Sequence, residues 1–425
     1  MKYMNVGSII HLSILSLLNR RLAVLLSICA IAVSVSLIFT VEKLRQDAKS
    51  SFADTISDTD LIVGARSGSV QLLLYSVFRI GNATNNISWR SYRSISDRDD
   101  VLWSIPISLG DSHRGFRVMG TTRDYFEHYR FGRGKMLELD GGKPFDDVFD
   151  AVLGAEVAAD LGYKLDQRII IAHGIGKGGF TKHDDKPFRV AGILKRTGTP
   201  VDRTVHISLA GITAIHVDWK AGAPIPGMSI SADAVRKMDL TPRSITAFLL
   251  GLKSRLGAFK ALREINNFSK EPLLAVLPGV ALQELWDLMS TAETALRAIS
   301  IVVVFGGLLG MLTMLLTNLN ERRREMAILR AVGARPYHVA GLFVTEAILI
   351  TIAGIGGGLC LFYAGLFLFQ PVIEDSYGLF ISVTAPTVSD LMILLYLLAG
   401  SVIAGLIPAV MAYRQSLSDG IIVKN

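Results

Sequence analysis

Six histidines, His113, His128, His173, His183, His206 and His216, are the side chains of this sequence best suited to hold a metal ion or move a proton. A zinc site gathers three or four such ligands, and in sequence it shows itself as close pairs with an acidic residue nearby. No two of the six stand at HxH or HxxxH spacing, and no acidic residue completes a ligand set that spacing alone would reveal. Surface or core histidines are therefore the expectation. GIGKGGF at 174–180 carries the glycines and lysine of a phosphate-binding loop, yet it fails the GxxxxGK[ST] pattern. Its glycines suit a hairpin between two strands. No phosphate-loop or GxSxG pattern occurs anywhere in the chain, and the two cysteines, Cys29 and Cys360, lie inside apolar runs. Nothing here reads as an enzyme, and no disulfide is expected in the polar part of the chain.

A third stretch has chemistry of another kind. NERRREMAILRAVGARPYHV at 320–339 separates two of the most apolar runs in the chain. Met326, Leu329 and the Ala331/Val332 pair mark an apolar stripe; Gly333 is placed to stop the helix, and Pro336 to start the next. Arg322, Arg323 and Arg324 crowd the helix N-terminus, where cations oppose the macrodipole by some tenths of a kcal/mol. A positive anchor at a membrane face explains the arginines. The ordered stripe and the glycine stop point further, to a surface that docks a partner.

The elements that position these residues are read from hydropathy. Of 425 residues 50% are hydrophobic and 19% charged, against about a quarter charged in soluble domains. Residues 22–41, 298–319, 347–373 and 391–413 carry no charge at all. About twenty apolar residues cross a hydrocarbon core of roughly 30 Å. Four transmembrane helices are predicted, at 22–41, 297–319, 340–373 and 391–413. The first is expected to be an uncleaved anchor, since its apolar run is too long for a signal peptide and no small-residue cleavage pattern closes it.

Arginine and lysine near the span ends orient the chain. Arg20 and Arg21 precede the first span, and Arg322, Arg323, Arg324, Arg330 and Arg335 fill the loop after the second. Residues 374–390 hold Glu374, Asp375 and Asp390 but no basic residue. The N-terminal amphipathic segment 1–21, the loop 320–339 and the tail 414–425 are therefore expected in the cytoplasm. Residues 42–296 and the short loop 374–390 are expected outside. The fold class is a four-span α-helical membrane protein with a large α+β extracytoplasmic domain between spans one and two. That domain is close to charge balance and shows no nucleic-acid footprint.

Residues 42–56 lack proline and glycine and continue the first helix; 279–297 run helically into the second span, so the pair predicts a stalk. Between them, alternation at 116–120, 167–174, 188–194 and 204–209 predicts strands, and AEVAADLG at 155–162 a helix. VQLLLYSVFRI at 70–80 does not alternate. As a helix bounded by Gly64, Gly68 and Gly81 it gathers Leu73, Leu74, Val77 and Phe78 on one face and Gln71, Tyr75 and Arg79 on another. The apolar face either packs into its own domain or meets an apolar cargo.

The stretch at 320–339 closely resembles the signature joining the second and third spans in the MacB/FtsX/LolC type of ABC-transporter permease. The glycine-rich AGIGGGLCLFYAG at 353–365, the Glu346–Ala347 pair and the ending IPAVMAYRQSLSDGI at 407–421 resemble the same family. VMGTTRDYF, VLGAEVAADLG and FRVAGIL resemble its periplasmic module. Residues 60–88 depart from it, so the cargo is not carried over. The resemblance implies a bacterial inner-membrane permease with one permease module and no cofactor of its own, ATP and Mg residing on a cytoplasmic ABC ATPase dimer. Glu321, Arg322, Arg323, Arg324, Glu325, Met326, Leu329, Arg330, Gly333 and Ala334 would form the ATPase-coupling helix. A second permease chain, identical or paralogous, is implied, with membrane lipid and a periplasmic or lipoprotein partner as further contacts. The implied mode is mechanotransmission, acting on export or extraction of a lipoprotein, lipid-like molecule or peptide. Two other readings stand beside it: an FtsX-like regulator of a periplasmic enzyme, and a metal-linked transporter using the external histidines.

Overall fold

The computed structural model of the chain describes residues 6–132, 134–174, 181–220, 223–224, 230–321, 328, 334–377 and 383–414. They form two compact units, one of helices from Met1–Asp47, Ser290–Val372 and Ile381–Asn425, the other chiefly from Ala48–Met289.

The helical unit begins with α1 (Val6–Asn19) and α2 (Arg21–Asp54). In the second unit α3 (Ser69–Ser76), α4 (Trp89–Ser96), α5 (Asp124–His128), α6 (Ala155–Leu161), α7 (Leu209–Ile215) and α8 (Ala258–Asn266) follow. Three long helices close the chain: α9 (Pro278–Glu321), α10 (Pro336–Tyr377) and α11 (Val388–Arg414). Four segments are long and apolar enough to cross a membrane: Arg21–Asp47, Pro278–Thr317, Tyr337–Val372 and Val388–Ala412. Each overlaps a predicted span. As expected from 42–56 and 279–297, α2 and α9 run on as unbroken helices beyond their charge-free parts.

Small residues let α2 and α10 approach closely. An added Cβ on Gly354 would lie 2.6 Å from Ile31, and one on Gly358 2.6 Å from Val35. In a bilayer, where lipid removes the hydrophobic drive between helices, such close backbone approach is what holds them together. Ile31, Val35, Phe39, Phe343, Ala347 and Ile350 are buried around this contact.

The second unit is built on one sheet of twelve strands. They are β1 (Leu61–Ala65), β2 (Val101–His113), β3 (Phe116–Thr121), β4 (Leu139–Gly142), β5 (Asp150–Leu153), β6 (Arg168–Ile169), β7 (Ala172–His173), β8 (Thr181–Lys182), β9 (Phe188–Leu194), β10 (Thr204–Ser208), β11 (Ala247–Leu252) and β12 (Leu273–Val276). The main order is β12-β1-β11-β2-β3-β10-β5-β9-β4, with β3/β10 and β5/β9 parallel and the other neighbours antiparallel. β7 pairs β2 and β8, and β6 pairs β9.

Successive side chains point to opposite faces, and both faces are covered. Ile62, Ile107, Met119, Val152 and Leu249 face one core; Leu61, Val63, Phe248 and Leu250 face a second; Val118, Leu153, Val205 and Ile207 face a third. The alternation predicted at 116–120, 188–194 and 204–209 lands on β3, β9 and β10, and 155–162 on α6 with Gly162 as its left-handed cap. Residues 167–174 hold two short strands, β6 and β7, instead of one.

Candidate functional site

In the helical unit, α2, α9 and α11 enclose a cavity of about 550 Å³. Val35, Ile38, Val304, Leu308, Met392 and Leu397 line it, and Glu42, Arg45, Glu293 and Arg297 stand at one end. Those four are linked: Arg45 pairs with Glu42 at 2.5 Å and with Glu293 at 3.5 Å, and Arg297 approaches Glu42 at 4.0 Å. Glu346, the one charged residue within 340–372, is 2% exposed inside the bundle. The wall of the cavity is thus mostly hydrocarbon, with Ser300, Ser389 and the Tyr396 ring as its further polar members and the charges confined to Glu42, Arg45, Glu293 and Arg297.

The predicted coupling helix falls mostly outside the described residues: Arg322, Arg323, Arg324, Glu325, Met326, Leu329, Arg330 and Gly333 are not among them. Glu321 ends α9, and Ala334 precedes α10, half-buried.

The apolar face foreseen at 70–80 is not a surface. Leu73, Val77 and Phe78 are 0%, 3% and 6% exposed in the core of the second unit, and Leu74 packs against them. Tyr75, on the other face of the helix, is buried as well, because Gly64 makes room for it: an added Cβ there would lie 2.5 Å from the Tyr75 hydroxyl and from Leu72. Gly64 is therefore a packing position within β1, and Gly68 alone caps the helix start. Phe78 instead meets Phe52 near the end of α2, with ring centres 4.5 Å apart, and Phe52 meets Trp286 of α9 at 5.6 Å. Phe52 and Trp286, both within Ala48–Met289, thus join Phe78 in the core of the second unit.

The histidines show what local spacing hides. Pairing of β7 with β2 sets His173 opposite Asp111, and the Nδ1 of His173 lies 3.0 Å from Asp111 Oδ1. His183 follows β8 directly, and its backbone N–H donates to the Ile171 carbonyl at 2.9 Å. His216 caps the end of α7, and its Nε2 stands 3.3 Å from His173 Nδ1 and 3.6 Å from Asp111 Oδ1. The Trp219 ring flanks all three imidazoles at 4.3–5.7 Å. Burial and the neighbouring His216 hold the His183 imidazole down to about 4, whereas the Asp111 carboxylate raises that of His173. No motif spacing could have found this cluster. His113, His128 and His206 lie outside it: His113 donates to or accepts from Tyr163, His128 stacks on Trp103, and His206 is enclosed by Tyr125 and Phe126.

Comparison with known proteins gives a consistent picture. Residues 24–241 match the family described as the MacB-like periplasmic core domain, and residues 297–417 the one described as the FtsX-like permease C-terminal. A macrolide export ATP-binding/permease protein MacB of Nitrobacter winogradskyi is 23% identical over 343 residues, covering 78% of this chain and 48% of the relative. A pyoverdine export ATP-binding/permease protein PvdT of Pseudomonas savastanoi is 24% identical over 203 residues, 47% of this chain and 29% of that one. The chain thus spans less than half the length of these curated relatives. Among solved structures, the periplasmic region of MacB from Actinobacillus actinomycetemcomitans aligns with a TM-score of 0.33 at 12% identity, over 54% of this chain and 94% of that one.

Proposed function

The chain belongs to the MacB/FtsX-type ABC-transporter permeases, and from that premise we propose that it passes the work of ATP hydrolysis, done by a partner ATPase in the cytoplasm, to its sheet domain outside. The observation that carries this reading is the poverty of polar groups in the spans. Within 22–41, 298–317, 340–372 and 391–412, Glu346 is the only Asp, Glu, Lys or Arg. A hydrophilic cargo would need a lined path through the helices, since each uncompensated polar group in hydrocarbon costs several kcal/mol. Movement of helices that run on beyond the bilayer asks for no such path. The packing of Phe52 and Trp286 around Phe78 supports the same reading, because the ends of α2 and α9 that belong to the second unit are part of its packed core.

In this account residues 320–339 dock on the ATPase, the N-terminus and tail are cytoplasmic, and two permease chains face an ATPase dimer. The cargo is already outside the cytoplasm and is apolar or amphiphilic, such as a lipoprotein, lipid-like molecule or peptide. Relatives named for macrolide and pyoverdine export favour export or extraction over regulation of an external enzyme.

Ala334→Trp tests the docking step by adding bulk without charge. The full chain purified from its own cells in mild detergent should carry co-purifying ATP hydrolysis, from a chain with a phosphate-binding loop identified by mass spectrometry. The variant should reach the membrane at normal level and lose that activity more than about tenfold, the equivalent of about 1.4 kcal/mol. Full retention of the ATPase by the variant would sink the assignment of this surface.

A further inference from the structure

We propose that Asp111, His173, His183 and His216 form a binding site for one divalent transition-metal ion of the zinc class, clasping β2, the β7–β8 pair and the end of α7. One ligand atom from each of the four lies within 4.8 Å of the others. Zinc bonds of about 2.0–2.1 Å at tetrahedral angles separate neighbouring ligand atoms by roughly 3.4 Å. The distances of 3.0, 3.3 and 3.6 Å among Asp111 Oδ1, His173 Nδ1 and His216 Nε2 bracket that value.

The hydrogen-bond inventory points to a cation. His216 Nδ1 sits 2.8 Å from the Ile212 carbonyl, which can only accept, so in the neutral ring the proton is on Nδ1 and Nε2 presents a lone pair. This is the outer-shell contact that sets the tautomer of metal-bound imidazoles. The single proton on His173 Nδ1 can serve Asp111 Oδ1 or His216 Nε2, not both in full. The third imidazole is starker: His183 is 1% exposed, and among the described residues neither of its ring nitrogens has a hydrogen-bond partner. Buried polar atoms without partners are rare and call for an explanation. A metal ion takes one lone pair from each of the three imidazoles, one of the two His183 nitrogens included, and neutralises the Asp111 carboxylate, which is 3% exposed.

The surroundings hold the ligands in place. Three residues beyond His183, the Lys186 ammonium is fully buried and pairs with Asp218 at 2.7 Å, tying the end of the β7–β8 pair to the segment just after His216. The side chains of His173 and His216 are 40% and 26% exposed, which leaves an entry path. Four protein ligands fill a tetrahedral shell, so the site acts as a clasp and not as a catalytic centre with an open position. Three segments far apart in sequence thereby become one metal-dependent corner of the domain, and its loading responds to the metal content of the compartment it faces.

The test uses the tag-free full chain in detergent, stripped with a chelator and titrated with Zn2+ against a chromophoric competitor. One ion per chain should bind tightly. His173→Gln and His216→Gln, both at partly exposed positions that tolerate change, should each weaken binding by at least the roughly tenfold to hundredfold that loss of a mere outer-shell partner costs. No stoichiometric binding, or affinity unchanged in both ligand variants, overturns the proposal. Co2+ on the unmodified chain answers independently of any variant's folding. Intense visible bands of a tetrahedral site, with quenching of Trp219 fluorescence that Trp219→Phe removes, support the proposal; a weak octahedral spectrum overturns it.

Discussion

Acidification should weaken the sheet domain through one buried imidazole that lies away from the metal cluster. His206 stands in the middle of β10, on the face opposite Val205 and Ile207, and is 0% exposed beneath Tyr125 and Phe126. Its Nδ1 lies 3.2 Å from the Val152 carbonyl, which assigns the ring proton there; Nε2 has no partner among the described residues. A second proton would therefore be buried without an acceptor. Burial first, and then the Arg79 guanidinium, push the imidazole down to about 3. In the unfolded chain it titrates near 6.5. The unfolded state takes the proton first, so stability is lost as pH falls below about 6.5, and the loss becomes complete only below about 3. At pH 5, about 1.5 units below the unfolded value, the penalty is about 2 kcal/mol relative to pH 8. The assay is urea unfolding of the full chain in detergent at both pH values, followed by tryptophan fluorescence. Trp89, Trp103, Trp219 and Trp286 are all the tryptophans there are, and all lie in the sheet-bearing unit. His206→Leu removes the titrating group, while the other acids and histidines remain in both proteins. The variant's own stability does not matter, because the readout is how much less it loses between pH 8 and pH 5. A loss equal in the two proteins would refute the argument.

Two further perturbations follow from packing. Gly154 begins α6 where an added Cβ would lie 2.3 Å from the backbone oxygens of Val201 and Asp202; no rotamer change relieves that, so Gly154→Ala should cost more than about 3 kcal/mol in the same urea assay. Lys186→Met strands the buried Asp218 carboxylate and should cost about 3 kcal/mol, whereas Lys186→Met with Asp218→Leu should recover most of it; strictly additive losses would show that the pair is not coupled.

How much of this was readable beforehand depends on whether the physics of each element is local. Long spans are local: a run without charge is its own signal, and α2, α9, α10 and α11 fall on the predicted runs. Strands β3 and β10 are local in part, because Arg117 in one and His206 in the other alternate with apolar neighbours. Strands β1, β11 and β12 leave no alternation in the sequence. LIVGA is buried at every position, and so is AFLLGL, since helices cover both faces of the sheet. Burial on both sides erases the two-residue period on which strand reading rests.

At the two candidate sites as well, the deciding contacts are not local in sequence. The helix at 70–80 has one apolar face by sequence, but a second face is buried because Gly64, in a strand two turns of chain away, lacks a side chain where Tyr75 enters. A missing Cβ on one element is invisible in the periodicity of another. The histidine cluster is the stronger case. His173 and Asp111 become neighbours only through the β7–β2 ladder, His183 joins them through the β7–β8 pairing, and His216 arrives at the end of a helix that packs against β3 and β10. Local spacing detects a metal site when one hairpin or one helix supplies the ligands. Here each ligand comes from a different element, so spacing carries no sign of the proposed site, whereas the fold brings the four side chains together and leaves both His183 ring nitrogens without a partner among the described residues.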